Sequence, residues 1–504
     1  MELDEAVRAV IASLRSDPAG IFPFYILAVA VPAIARVVTF VGGGIVVTYL
    51  VVTGRLETFL AGLEGIEAEP PDPEADPEGF LTWIESVAEV GEILLTVTSV
   101  GVLLVTVAAT IVLVVVLTAI VNAGQIAACY AVLRQNDAAN HGVRGIGQWW
   151  RRFIGLYVLE IVLWIGLTIG VIIVVAAAAA ASPILGIFVG IFAILAWMAG
   201  AVAIRATFVF APVAIVVDDA SVFGSLGGSV DFIRHNIAQA VSYYAISVGV
   251  IVGVASIGSV LATLRAPSVA ALVSFLIVAP ALDLLKTSFY GDHRMAIKPY
   301  RMPQESPIGQ LRTGLRRGWD EMVAFVRETP ALHGVSLATA LVGFAMGWFA
   351  SEPIVGLFET SVSARIEQLP FPPIAALEFF GNNWTVALST AFAGAAFAVP
   401  TLSVLWFNGF VMAIIARLET APLELIAFVI PHGIFEIPAI LIAGALGIHL
   451  GVVLFRNSSG WRREIAMAKA FRRGFWILLG VGILLAIAGI IEGFLSPYYF
   501  RLFL

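Results

Sequence analysis

Apolar runs of about 20 residues recur from one end of this 504-residue chain to the other, and no feature limits its fold more strictly. Each run is long enough to cross roughly 30 Å of hydrocarbon as a helix. In lipid the backbone N–H and C=O groups must be satisfied within the segment or in a closed barrel. The short alternating segments of a barrel do not dominate here. The expected fold is an all-α polytopic membrane protein. Composition agrees: 60% of residues are hydrophobic and 12% charged, against about 25% charged in soluble domains, and mean hydropathy is +0.98. The amphipathic N-terminus carries no cleavable signal pattern. A single cysteine, Cys129, excludes an intrachain disulfide and a cysteine metal cluster.

Basic residues in short loops mark the cytoplasmic side. The stretches 134–152, 286–327 and 456–473 are basic, and 53–90 is acidic and proline-rich. The first three are therefore expected inside and the last outside, loosely held, with the N-terminus inside. Six spans fill the first half. In the second half the chain leaves near residue 350 and must be inside again at 456, which requires an odd number of crossings between them. Trp384 to Arg417 is too long for one span and just enough for two short ones, with the turn expected at Pro400-Thr401. The total is about eleven transmembrane helices in two bundles. The proline-broken basic linker sets the boundary between a domain of residues 1–305 and one of 306–504.

Ionisable groups inside an apolar run are costly unless satisfied, so they mark working sites or interhelical contacts. The stretch from Phe379 to Leu450 concentrates them: Asn382, Asn383, Asn408, His432 and Glu436. A spacing of four stacks His432 and Glu436 on one helix face. Pro431 fits a helix first turn, so the preceding LIAFVI is expected to be a separate half-helix, as in transporter sites. Two readings fit the pair: a hydrogen bond that pins helices, which takes precedence, or a polar pocket shared with the asparagines. A zinc-hydrolase reading ranks third, because zincin spacing is absent and a third ligand is needed. Gly394, Gly409, Gly444 and Gly447 read as close-packing positions. Arg36, Glu160 and Arg205 are expected to pair or snorkel, and Asp283, Lys286 and Glu492, near span ends, to snorkel or meet a wet interface. No catalytic residue, metal ligand set, cofactor motif or nucleic-acid-binding feature is expected.

The segment NNWTVALSTAFAGAAFAVPTLSVLWFNGF followed by IPHGIFEIPAILIAGALGIHLG resembles the stage II sporulation protein M family. That family's asparagine, its NG and its PHGxxE-type element fall on Asn382 or Asn383, on Asn408-Gly409, and on Pro431-His432-Gly433 with Glu436. The likeness covers about residues 330–500. The stretch FAPVAIVVDDASVFGSLGGSVDFIRHN resembles, more weakly, the membrane domain found beside glycerophosphodiester phosphodiesterases and in uncharacterised archaeal proteins. The first resemblance implies a plasma-membrane component of an envelope assembly, a scaffold that recruits unidentified membrane or envelope proteins. The alternative is a transporter or lipid-handling permease using Asn408, His432 and Glu436.

Overall fold

The computed structural model describes residues 1–66, 70–456 and 460–499. Among them there is no strand, only two isolated bridges, Val355–Phe358 and Thr360–Glu419. The chain forms two compact units. One comprises Met1–Val29, Val115–Met322 and Val453–Gly480; the other comprises Ala30–Val114, Val323–Val452 and Val481–Leu504.

The amphipathic helix α1 (Leu3–Ser16) precedes the long apolar α2 (Pro18–Val52). The acidic stretch that follows is more ordered than its composition led us to expect. It contains α3 (Arg55–Glu64) and α4 (Pro77–Glu92), the latter started by Asp76, whose carboxylate accepts from Gly79 N–H at 2.9 Å. Capping of this kind satisfies one of the free N–H groups of the first turn. Residues 67–69 of that stretch lie outside the described residues. Next come α5 (Val97–Leu133), α6 (Ala138–Ala181) and α7 (Pro183–Val217). The basic stretch 134–152 is therefore mostly helix, not loop. Asp137 caps α6 by accepting from Asn140 N–H, which lets the helix begin well before its apolar part.

Helix α8 (Val222–His235) leads into α9 (Ile237–Thr263) and α10 (Pro267–Val273). A π-helical turn, Ser274–Val278, joins α10 to α11 (Ala279–His293). The linker expected over 286–327 is shorter than the basic composition indicated. Its front belongs to α11 and its rear to α12 (Pro307–Glu328), leaving 294–306 non-helical. Arg205 meets Glu160 at 3.2 Å within the first unit. Arg36, which belongs to the second unit, stays exposed. Lys286 Nζ lies 2.7 Å from Asp283, which also accepts from the buried Tyr25 hydroxyl at 2.8 Å.

The second half contains α13 (Pro330–Ala350), α14 (Val362–Glu367), α15 (Pro372–Ala393), α16 (Val399–Leu418), α17 (Pro422–Arg456), α18 (Trp461–Phe494) and the short α19 (Ser496–Tyr499). The turn between α15 and α16 sits at 394–398, with Phe397 and Ala398 both left-handed. Pro400, expected in that turn, instead occupies the first turn of α16, where its missing N–H costs nothing. Helix α17 runs unbroken through Pro431 and Pro438, so no half-helix ends at Pro431. Each proline forfeits one backbone bond, a loss that membrane helices absorb through their neighbours. The basic stretch 456–473 is largely the start of α18; residues 457–459 lie outside the described residues.

Ten of the described helical segments are long and apolar enough to cross a membrane. Large apolar side chains such as Val105 and Phe192, each 70% exposed, stand on their outer faces. Such faces suit lipid and would be untenable in water. Helix α15 has 22 residues, about 33 Å of helix, but carries Glu378, Asn382 and Asn383. The helices on either side of it run in the same direction. A Cβ on Gly343 would overlap the backbone of Trp406, and one on Gly347 that of Phe410. Residue numbers thus rise together along α13 and α16, so the two helices are parallel. The chain must return between them, and α15 is the helix of sufficient length in that interval. Among the described residues ten helices thus stand as candidate spans, against the about eleven expected from the sequence, with α15 the further segment of sufficient length.

Candidate functional site

Glycine decides how closely the helices of the second unit approach. Gly394 lies against the backbone of Gly447, and Gly444 against Ser336 and Leu405. Ser336 Oγ donates to the Leu441 carbonyl at 2.9 Å, tying α13 to α17. Small residues permit this contact, and hydroxyls reinforce it. The glycines singled out in the sequence are packing positions, and they hold α17 in place around a polar cluster.

That cluster begins with His432 and Glu436, one turn apart on α17 as their spacing predicts. The structure adds Glu492 from α18 and Ser496 from α19. One donor atom from each of His432, Glu436 and Glu492 lies within 4.8 Å of the other two. The His432 Nδ1 and the Ser496 hydroxyl are hydrogen-bonded at 3.0 Å, and Nε2 stands 3.9 Å from a Glu492 oxygen. The ring also bonds to the Phe428 backbone and stacks edge-on against the Phe428 ring. His432 and Glu492 are 6% and 9% exposed. The Asn383 side chain bonds the Glu436 carboxylate. Oε2 of Glu436 and Oε2 of Glu492 are buried without a hydrogen-bond partner.

Asn383 is thus the asparagine that reaches the cluster. Asn382 is exposed and touches Asn383 at 3.4 Å. Asn408 donates to the Val404 carbonyl of its own helix at 3.0 Å. Glu492 was expected at a wet interface and is instead buried beside His432. The criterion that marked His432 applies to it equally, because Glu492 is the one charged residue between Gly474 and Phe494.

A cavity of about 600 Å³ opens onto this cluster within the same unit. His432 and Glu492 form part of its wall; Phe344, Met412, Ile426 and Phe428 supply apolar surface. Helix α14 covers another side. Its Val362 and Ile366 are buried against Leu369, Leu425 and Phe428. Glu419 anchors it, accepting from Val362 N–H at 2.9 Å and from Arg365 at 3.0 Å. The cavity is therefore a mostly apolar chamber with a tied cover, and its charged or titratable lining groups are Arg365 of the cover and the His432–Glu492 pair. His432 lies ten residues into α17, about 15 Å along its axis.

Residues 336–497 match the family model described as Stage II sporulation protein M. This part of the chain is a stage II sporulation protein M domain. The domain contains every residue of the cluster, Asn383, His432, Glu436, Glu492 and Ser496, and all the residues that line the cavity. The protein is a multi-pass membrane protein built around that domain and a further set of spans. No curated protein and no solved structure matches the chain. The weaker likeness of the first half to the phosphodiesterase-associated membrane domain gains no support from these comparisons.

Proposed function

We propose that the sporulation-M domain takes a lipid-like molecule from the bilayer into its cavity and holds the polar end against His432 and Glu492, the cluster residues that line it. The cavity carries this reading: its volume falls in the range of small-molecule sites, which pair an apolar lining with a few convergent polar groups. A helix pin would close its hydrogen bonds internally. Here two carboxylates each keep a buried oxygen unpartnered, the state of a site awaiting a ligand. This favours the permease reading over the scaffold reading. The family likeness adds a setting in the cell envelope, where the handled molecule would be an envelope lipid or lipid-linked precursor.

The test is a density map of the full chain in lipid nanodiscs. Elongated density inside the cavity, ending beside His432, is the expected result. A cavity collapsed by side-chain rearrangement, with no density beside His432, would refute the proposal.

A further inference from the structure

From the convergence of His432, Glu436 and Glu492 we infer a binding site for one divalent transition-metal cation, zinc or manganese in class. The inference stands on the cluster alone and does not require the cavity to hold a lipid.

Three observations carry it. First, the donor set is one imidazole and two carboxylates from two helices, with donor atoms already within 4.8 Å of one another. Ligands about 2.0–2.2 Å from a tetrahedral ion lie about 3.5 Å apart, so rotation of two glutamate side chains closes the difference. Second, Oε2 of Glu436 and Oε2 of Glu492 are both buried without a partner. A buried polar atom left bare costs free energy, and bare carboxylates cost more. Two carboxylates and a neutral imidazole carry the charge that one divalent cation cancels. Third, the surrounding contacts are those that metal sites use to orient ligands. The His432 Nδ1 is engaged by the Ser496 hydroxyl, leaving Nε2 toward Glu492, and Asn383 holds Glu436. Outer contacts of this kind fix the ring and the carboxylate. A histidine with two carboxylates suits zinc, manganese or ferrous iron better than calcium or magnesium, which favour all-oxygen shells.

Three protein ligands leave a coordination position open, as in zinc sites that accept water or substrate. Because His432 and Glu492 also line the cavity, that position adjoins the chamber. A phosphate or carboxylate entering there would complete the shell.

The test uses the full chain, tag removed, in detergent. Elemental analysis of the purified protein and titration of chelator-treated protein with zinc, then manganese, measure occupancy and affinity. We expect saturable binding near one equivalent per chain for at least one of the two metals. Binding should weaken at least tenfold in Glu436→Gln and in Glu492→Gln, and measurably in Ser496→Ala, with Asn408→Ala unchanged. Size-exclusion profiles of the metal-free variants confirm that they fold. Failure of both metals to bind saturably, or wild-type affinity in folded Glu492→Gln, would overturn the site. Neither result depends on whether lipid is present, so the lipid proposal is judged separately.

Discussion

A carboxylate oxygen of Glu436 on α17 lies within 4.8 Å of one of Glu492 on α18, and each residue keeps its Oε2 buried without a hydrogen bond. Like charges this close in an apolar interior oppose folding unless something neutralises them. The pair is held by the glycine-mediated packing of the domain and sets the energetic consequences of substitution there.

In metal-free protein, Glu492→Gln is expected to raise thermal stability by roughly 1 kcal/mol, the scale of relieving one buried unsatisfied group. The amide keeps the shape, cannot ionise, and offers an N–H that can donate toward the Glu436 carboxylate. Denaturation in detergent measures it. A loss beyond about 2 kcal/mol would mean that the carboxylate completes a structural bond.

The parallel packing of α13 and α16 predicts opposite sides for the two ends of α15. With the basic stretches inside, a cysteine at Gln368 should react with an impermeant thiol reagent on intact cells. A cysteine at Ala396 should not react, both being placed in a Cys129→Ser background. Equal labelling of the two positions would contradict the crossing of α15 and the count of eleven.

Much of this arrangement was legible in the sequence, for physical reasons that differ from place to place. Helices could be placed because apolar runs of membrane length have few other folds. The proximity of His432 and Glu436 could be placed because i,i+4 spacing is local, although the bonds each makes go to other partners. Glu492 and Ser496 lie about 60 residues further on, and only tertiary packing brings them back. Asn408 misled for the opposite reason: an asparagine in a helix can satisfy its amide on the carbonyl four residues earlier, as this one does. Basic stretches read as loops because charge ends an apolar run, yet it does not end a helix. In α6 and α18 the helix simply continues beyond the apolar part.

Arg472 joins distant parts of the chain, bonding Asp17 at 2.6 Å and Asp137 at 3.1 Å. If the proposed domains 1–305 and 306–504 are co-expressed as separate fragments, they should copurify through this contact. Arg472→Ala should reduce recovery of the pair severalfold. Fragments that never associate would contradict this role.

Asp137 predicts a pH dependence. Burial pushes its carboxyl up, but the Asn140 backbone N–H and the Arg472 guanidinium outweigh that and hold it below the usual carboxylate range. A carboxyl depressed on folding stabilises above its unfolded value, about 3.9, and loses that contribution as pH falls through the folded value. Asp137→Asn keeps a capping oxygen and drops the charge. Its stability deficit relative to wild type should be present at pH 6–8 and shrink below about pH 4. A deficit constant across that range would assign the effect to capping alone.

Native mass spectrometry of the full chain tests the central proposal most directly, with wild type compared against Met412→Trp, which fills the cavity without touching His432, Glu436 or Glu492. The account predicts that wild type retains one lipid-mass adduct per chain after detergent activation and that Met412→Trp, equally stable, loses it. Identical adducts in both proteins, or none in wild type, would contradict a cavity built to hold a lipid.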